Sequence, residues 1–129
     1  DTVRVEATPN TNWRSEAAFD YRRRRGTGYF ITREDIDNRQ AAIINDLLTI
    51  VPGVYASCGG GQCRAVMMTS GKTCVPEWYL DGYPATNAVG PDFPARNIRG
   101  VEVYRSIFEV PAEFQRPNLR CGIIVVWSK

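Results

Sequence analysis

The four cysteines are the feature of this 129-residue sequence that most constrains its fold. An even number of cysteines in a chain this short favours a disulfide framework in an oxidising compartment over a set of free thiols. The cysteines are Cys58, Cys63, Cys74 and Cys121. They form no Cys-x-x-Cys pair, so a four-thiolate zinc site is not expected. Three disulfide pairings are possible.

The glycine-rich segment between the first two cysteines favours one of these pairings. Gly59-Gly60-Gly61-Gln62 is flexible enough for Cys58 and Cys63 to bond to each other, which leaves Cys74 to bond to Cys121. The loop-closure entropy that each bond removes from the unfolded chain predicts a stabilisation of about 2 kcal/mol from the short loop and about 4 kcal/mol from the long one. We therefore predict the pairs 58–63 and 74–121, and we expect the longer bridge to contribute more to stability.

Composition excludes several function classes. The sequence has no histidine, which excludes Ser-His and Cys-His catalysis and histidine-containing zinc sites. Its net charge of +2 is too small to indicate nucleic acid or an anionic membrane as a partner. The length favours one domain with a conventional hydrophobic core. No apolar run approaches the roughly 20 residues that span a bilayer, so no transmembrane segment is predicted.

Two patterns predict helices. Thr32 can cap a helix that begins near Arg33, because its hydroxyl can accept a hydrogen bond from the backbone N–H three residues on. Apolar side chains then recur at helical spacing between residues 41 and 51, and Pro52-Gly53 ends this second helix. The stripe consists of Ile43, Ile44, Leu47, Leu48 and Val51. A short helical turn is also predicted at Pro111-Ala112-Glu113-Phe114.

Other segments have the patterns of strands. Residues 64–69, a turn at Ser70-Gly71-Lys72 and residues 75–80 predict a β-hairpin that finishes at Asp81-Gly82. A further strand is predicted from about Gly100 to Arg105. The pair Met67-Met68 is interpreted as filler of the core.

The last apolar run predicts the centre of a sheet. Residues 122–127 are unbroken by polar side chains, as in a strand that is covered on both faces. Together these patterns predict an α+β fold, with a small mixed sheet and short flanking helices. The predicted core consists of Ile31, Ile36, Ile44, Leu47, Leu48, Val54, Val66, Leu80, Val101, Val103, Ile124 and Val126.

Charged residues give no sign of an active site. The carboxylates considered for acid or base chemistry are Asp81, Asp92, Glu102, Glu109 and Glu113. Asp81 precedes Gly82, where a turn carboxylate that bonds its own backbone is expected. The run Arg22 to Arg25 is either a phosphate or nucleic-acid patch or, as we favour, a solvated strand end that pairs with nearby carboxylates. No catalytic residue, metal site or cofactor is predicted.

Six segments in a fixed order resemble one known family. They are residues 30–36, 46–48 leading to 51–54, 79–82, 98–105, 111–114 and 122–129. In this order they resemble the plug domain of TonB-dependent outer-membrane receptors, from about residue 29 to the end. The resemblance implies a plug-like fold, a non-enzymatic role and an exported protein. Its place would be the periplasm, the outer membrane or the exterior of the cell.

The N-terminal segment alternates apolar and polar side chains like a strand. It consists of Thr2, Val3, Arg4, Val5, Glu6 and Ala7. It resembles the TonB box, an extended segment that such receptors offer to the protein TonB as an added β-strand. An ordinary N-terminal strand of this fold is the alternative interpretation. We divide the chain into residues 1–12, the extended segment with its linker, and residues 13–129, the plug-like domain.

Three functions are consistent with the resemblance. The sequence begins without a signal-peptide pattern and ends after the last plug-like strand, so we expect a mature exported chain or a piece of a longer one. The leading hypothesis is an interaction module without a barrel, which binds a TonB-like protein by strand addition through residues 2–7. One alternative is an extracellular subunit whose copies join head to tail into a filament through the same strand. The other is the excised plug of an uptake receptor.

Overall fold

The computed structural model describes residues 14–85 and 92–129, which form two sheets and three helices. The helices are α1 (Glu16–Arg25), α2 (Arg33–Arg39) and α3 (Ile44–Leu48). Two short 3-10 turns, Ala95–Asn97 and Ala112–Phe114, lie beside the later strands, and the second confirms the helical turn predicted there. In the described part of the chain, every helix is too short and too polar to cross a membrane.

The larger sheet has five strands and a mixed topology. Its strands are β1 (Tyr29–Ile31), β5 (Glu77–Leu80), β6 (Tyr83–Pro84), β7 (Ile98–Tyr104) and β8 (Ile123–Ser128). The spatial order is β1-β7-β8-β5-β6, and only the pairing of β5 with β8 is parallel. The final apolar run is therefore the central strand, with both faces buried, as its composition predicted. The predicted α+β fold with a mixed sheet is confirmed.

The small sheet has three antiparallel strands. They are β2 (Val54–Gly59), β3 (Gln62–Thr69) and β4 (Lys72–Cys74), in that spatial order. Two-residue turns join them, at Gly60-Gly61 and at Ser70-Gly71. All four turn residues have positive φ, between 52° and 81°, the backbone of the type I′ turns that match the twist of paired strands.

The predicted hairpin of residues 64–69 with residues 75–80 is wrong in its second strand. β3 pairs with β4 only as far as Cys74, and β5 belongs to the larger sheet, parallel to β8. Pro76 lies at the point where the ladder ends, and it has no N–H with which to continue that ladder. The other partner of β3 is β2, a strand that the sequence patterns did not predict.

Helix α1 was also not predicted, although both of its ends carry recognisable signals. The Ser15 side chain accepts a hydrogen bond from the Ala18 N–H at 3.0 Å, and Gly26 ends the helix with a φ of 80°. The arginines at positions 22–25 form the last turn, where cations interact favourably with the helix dipole. Our interpretation of this run as a strand end is therefore wrong.

The cap of α2 is confirmed. Thr32 Oγ1 accepts from the Asp35 N–H at 3.1 Å, and the Asp35 carboxylate accepts from the Thr32 N–H at 2.9 Å. This reciprocal pair satisfies two donors that the first turn of a helix would otherwise leave unbonded.

The second predicted helix is shorter than the apolar stripe suggested. Residues 41–43 are not helical, because Ile43 is extended and bridges to Pro94. The Asp46 carboxylate accepts from the backbone N–H groups of Ala42 and Ile43, and α3 begins only at Ile44.

Two hydrophobic clusters cover the two faces of the larger sheet. The first is mainly aliphatic and includes every residue of the predicted core except Val66, which is buried but is a member of neither cluster. Of the predicted core residues, only Leu80 is partly exposed. The second is largely aromatic and was not predicted. It consists of Phe19, Tyr79, Tyr104, Val110, Phe114, Leu119, Ile123, Val125 and Trp127. Of the methionine pair, Met67 is fully buried, whereas Met68 is 42% exposed and so is not core filler.

Candidate functional site

The residues predicted to add a strand to a partner are at the N-terminus. They are Thr2, Val3, Arg4, Val5, Glu6 and Ala7, and all of them lie outside the described residues. Their role therefore stays a prediction. Helix α1 is the first element of the described chain after this segment, and it is attached to the larger sheet.

Helix α1 is attached to β7 by a buried ion pair. Arg22 Nε lies 2.9 Å from Glu102 Oε1, and Arg22 Nη2 lies 2.7 Å from Glu102 Oε2. The two side chains are 5% and 0% exposed. This two-point geometry matches the planar guanidinium to the carboxylate and fixes the angle of the helix on the sheet.

Two aromatic side chains donate the remaining hydrogen bonds to the Glu102 carboxylate. The Tyr104 hydroxyl donates to Glu102 Oε1, and Trp127 Nε1 donates to Glu102 Oε2 at 2.7 Å. Arg22 also reaches Glu113 Oε2 at 3.4 Å. Each oxygen of the buried carboxylate thus accepts two hydrogen bonds, as a charge removed from water requires.

The electrostatics of this network favour a fixed charge pair. Burial alone would lower the pKa of Arg22, but its hydrogen bonds and ion pair with Glu102 outweigh burial and raise that pKa. Burial, reinforced by the Glu102 carboxylate, raises the pKa of Tyr104 well above its ordinary value. The Tyr104 hydroxyl therefore stays protonated as a donor to Glu102. We call this network the clamp, because it holds α1 on the sheet.

Two other candidate carboxylates, Asp81 and Glu109, bond to neighbouring parts of the structure. Asp81 does not bond its own backbone as expected, but accepts from the Ser128 N–H at 2.8 Å and the Ser128 hydroxyl at 2.6 Å. It thereby joins the end of β5 to the end of β8. Glu109 pairs with Arg105 at 3.1 Å.

Asp92 lines a cavity of about 240 Å³ beside the turn of the small sheet. The lining residues are Ile43, Asn45, Gly61, Gln62, Cys63 and Asp92. In residues 14–85 and 92–129, no group of three His, Cys, Asp or Glu side chains could hold a metal ion. Among the described residues that line the cavity, one is a carboxylate and two are amides.

Both predicted disulfides are present. Cys58 and Cys63 face each other directly across β2 and β3, with Cα atoms 4.0 Å apart. Cys74 and Cys121 join β4 to the chain just before β8, across a sequence separation of 47 residues. The first bond lies on an exposed hairpin, and the second ends in the hydrophobic core, where Cys121 is 6% exposed.

The arginine run is divided between the core and the surface. While Arg22 turns into the core, Arg23 lies 3.6 Å from Asp20, and Arg25 contacts the Tyr21 hydroxyl at 2.5 Å. The surface pair is about half exposed on both sides, so it contributes little to stability.

One known protein family matches most of this chain. Residues 25–110 match the TonB-dependent Receptor Plug Domain family. The match begins at the end of α1 and extends beyond β7. A search among curated proteins returned no match.

Solved receptor structures contain a similar fold. The siderophore receptor PiuA from Acinetobacter baumannii aligns with a TM-score of 0.59 and 20% identity over 79% of this chain and 14% of the receptor. FpvA of P. aeruginosa, solved with heterologous pyoverdines, aligns with a TM-score of 0.59 and 19% identity over 78% of this chain and 13% of the receptor. The hemophore receptor HasR of Serratia marcescens aligns with a TM-score of 0.57 and 17% identity over 80% of this chain and 16% of the receptor. This chain therefore spans 13–16% of the length of these receptors.

Proposed function

Because the chain belongs to the TonB-dependent receptor plug domain family, we propose that it is a non-enzymatic interaction module of the cell envelope. Its residues 2–7 bind a TonB-like protein by adding a strand to that partner's sheet. Strand addition needs backbone N–H and C=O groups and a simple alternation of side chains, which the sequence Thr-Val-Arg-Val-Glu-Ala provides.

The Arg22–Glu102 clamp is the observation that carries this proposal. Helix α1 begins at Glu16, soon after the proposed binding segment, and Arg22 fixes the helix to β7 near the middle of the larger sheet. A partner that holds residues 2–7 is thereby connected to the core through one helix, which the buried ion pair and the buried Phe19 side chain attach to the sheet. Such a connection suits a module whose binding segment is to be held or pulled by another protein.

The two disulfides support an exported location. Disulfides persist in oxidising compartments, and both cysteine pairs of this chain are oxidised in its structure. We therefore propose that the protein works in the periplasm, at the outer membrane or outside the cell.

Calorimetric titration with a purified TonB C-terminal domain tests the proposal. We expect binding by the full chain, and loss of at least tenfold in affinity for a variant with Arg4→Pro and Val5→Pro. Neighbouring N–H groups of a strand point to opposite sides, so this pair removes a donor whichever side faces the partner. Thr11→Pro, outside the segment, is the matched control and should bind like the unchanged chain. Equal affinity of all three proteins would refute strand addition through residues 2–7.

A role within an uptake receptor is a second candidate. The similar structures are receptors described as binding siderophores, pyoverdines or a hemophore, and the chain covers only a small part of each. In that case the same segment and clamp would belong to a receptor plug. Sequencing the gene on both sides of this region tests it, since an uptake receptor requires a long in-frame continuation.

A further inference from the structure

The edge strands of the two sheets differ in their protection against pairing with other chains. Natural proteins blunt edges by keeping them short or by placing lysine or proline on them. Among the described strands, β1 has three residues, β6 has two and contains Pro84, and β4 has three and contains Lys72. By contrast, β2 has six residues, with no proline and no charged side chain.

The turn after β2 indicates which of its backbone groups face outward. In a hairpin closed by two residues, here Gly60-Gly61, the flanking residues form a hydrogen-bonded pair, and bonded pairs then alternate along the strand. Tyr55 and Ser57 therefore bond to β3, whereas Ala56 and Cys58 direct their N–H and C=O groups to the free edge. Residues 55–59 are all exposed, and no described strand pairs with this edge, so within residues 14–85 and 92–129 it is available to another strand.

We propose that the free edge of β2 accepts residues 2–7 of a second copy of this chain as an added strand. The inference rests on the proposed role of residues 2–7 as a donor strand, and it adds an acceptor for them within the protein itself. The donor and β2 are each six residues long, and neither contains proline. A full ladder can therefore form along β2.

The side chains beside this edge fit the donor. The charged residues of the small sheet, Arg64 and Lys72, lie on β3 and β4, whereas β2 has no charged side chain. Arg4 and Glu6 of an added strand therefore lie directly opposite no like charge on β2. The outer face already exposes Tyr55 and Met68, by 52% and 42%. The alternating Val3 and Val5 would extend this apolar face across the edge.

Such a contact joins different surfaces of the two copies. The donor of one copy occupies β2 of the next, whose own donor stays free for a third. A head-to-tail contact of this kind gives an open chain of copies unless its rotation closes a ring.

Two full-length variants test the contact, with sedimentation velocity as the measurement. Ala56→Pro blocks the acceptor, because it removes an outward N–H while leaving the bonds of β2 to β3 intact. Arg4→Pro with Val5→Pro blocks the donor. Thr73→Pro is the matched control, since by the same alternation it removes an outward N–H from β4, the opposite edge of the small sheet.

We expect oligomers that grow with concentration for the unchanged chain and for Thr73→Pro, and monomers for each blocked variant alone. An equimolar mixture of the two blocked variants should give dimers and nothing larger, because one supplies only a donor and the other only an acceptor. Pairing in the mixture also shows that the donor-blocked variant keeps a folded acceptor edge, and circular dichroism compares the fold of Ala56→Pro with that of the unchanged chain. An unchanged chain that stays monomeric up to millimolar concentration, or a mixture that does not pair, would overturn the inference.

The titration with TonB separates failure of this inference from failure of the proposed function. Binding to TonB that is lost in the donor variant, with no self-association, would refute the β2 acceptor alone. Self-association that the blocked variants abolish, with no binding to TonB, would refute the TonB-like partner and support the acceptor.

Discussion

The larger sheet and the small sheet use their strands in opposite ways. Every residue of β8 from Ile123 to Trp127 is buried, between an aliphatic cluster on one face and an aromatic cluster on the other. In β2, only Val54 is buried, and the next five residues are exposed. The larger sheet is thus held by burial and by the Arg22–Glu102 clamp, whereas β2 is held by its turn, its ladder and a disulfide.

The difference indicates a division between stability and interaction. A strand covered on both faces has no surface left for a partner, and a strand with an open edge contributes little apolar burial. Substitutions in the larger sheet should therefore change the free energy of unfolding, and matched substitutions in the small sheet should change it much less. One pair of variants first compares the clamp with an exposed ion pair on the same helix, and three further pairs test the difference between the sheets.

Breaking the clamp should have the largest effect. Arg22→Met leaves the Glu102 carboxylate buried without its cation, which costs about 3–5 kcal/mol of unfolding free energy. Arg23→Met on the same helix removes only an exposed pair with Asp20 and should cost less than about 1 kcal/mol. Urea unfolding followed by circular dichroism measures both. Equal losses would mean that the buried pair does not clamp the helix.

Removing the disulfides should have the next largest effect, and the bridge from the small sheet to the core should contribute more than the bridge within the small sheet. Replacing Cys74 and Cys121 by alanine should cost about 4 kcal/mol, because the bridge closes a long loop and Cys121 packs in the core. Replacing Cys58 and Cys63 should cost about 2 kcal/mol. The midpoints of urea unfolding of the two double variants give the comparison, and a larger loss for the exposed pair would reverse it.

Two glycines allow the same comparison through packing. A Cβ atom at Gly122 would overlap the carbonyl oxygen of Tyr104 and lie 2.6 Å from Met67 Sδ, so Gly122→Ala should cost about 1–3 kcal/mol. A Cβ at Gly59 would meet nothing within 4 Å, so Gly59→Ala in β2 should be neutral or stabilise by up to about 1 kcal/mol. Thermal unfolding of the two variants tests this, and a similar loss in both would contradict it.

Elements with local signals could be predicted from the sequence. The cap at Thr32, the apolar run of β8 and the glycine-rich turn between Cys58 and Cys63 each act through neighbouring residues, and all three are confirmed. Helix α1 was missed because it has few apolar residues, although Ser15 and Gly26 mark its ends.

The clamp could not be predicted, because its residues are 80 positions apart. In the sequence, Arg22 belongs to a run of four arginines that indicates a solvated segment. Only the packing of α1 on the sheet distinguishes it from its three neighbours. The place of β5 in the larger sheet also depends on a non-local contact, since β5 pairs with β8 across more than 40 residues of chain.

At alkaline pH, the free energy of unfolding should show the smallest difference between substitutions in the two sheets, and this difference should depend on one tyrosine. Burial and the Glu102 carboxylate raise the pKa of Tyr104, so above pH 10 the unfolded chain loses this proton while the folded chain keeps it. The contribution of Tyr104 is therefore complete below pH 10, and it falls by about 1.4 kcal/mol for each pH unit above 10. Tyr104→Phe should flatten this fall, whereas Tyr55→Phe, at a ring of the small sheet that is 52% exposed, should not. Urea unfolding between pH 9 and 11 measures both slopes, and equal slopes in the two variants would show that the clamp does not hold the Tyr104 proton.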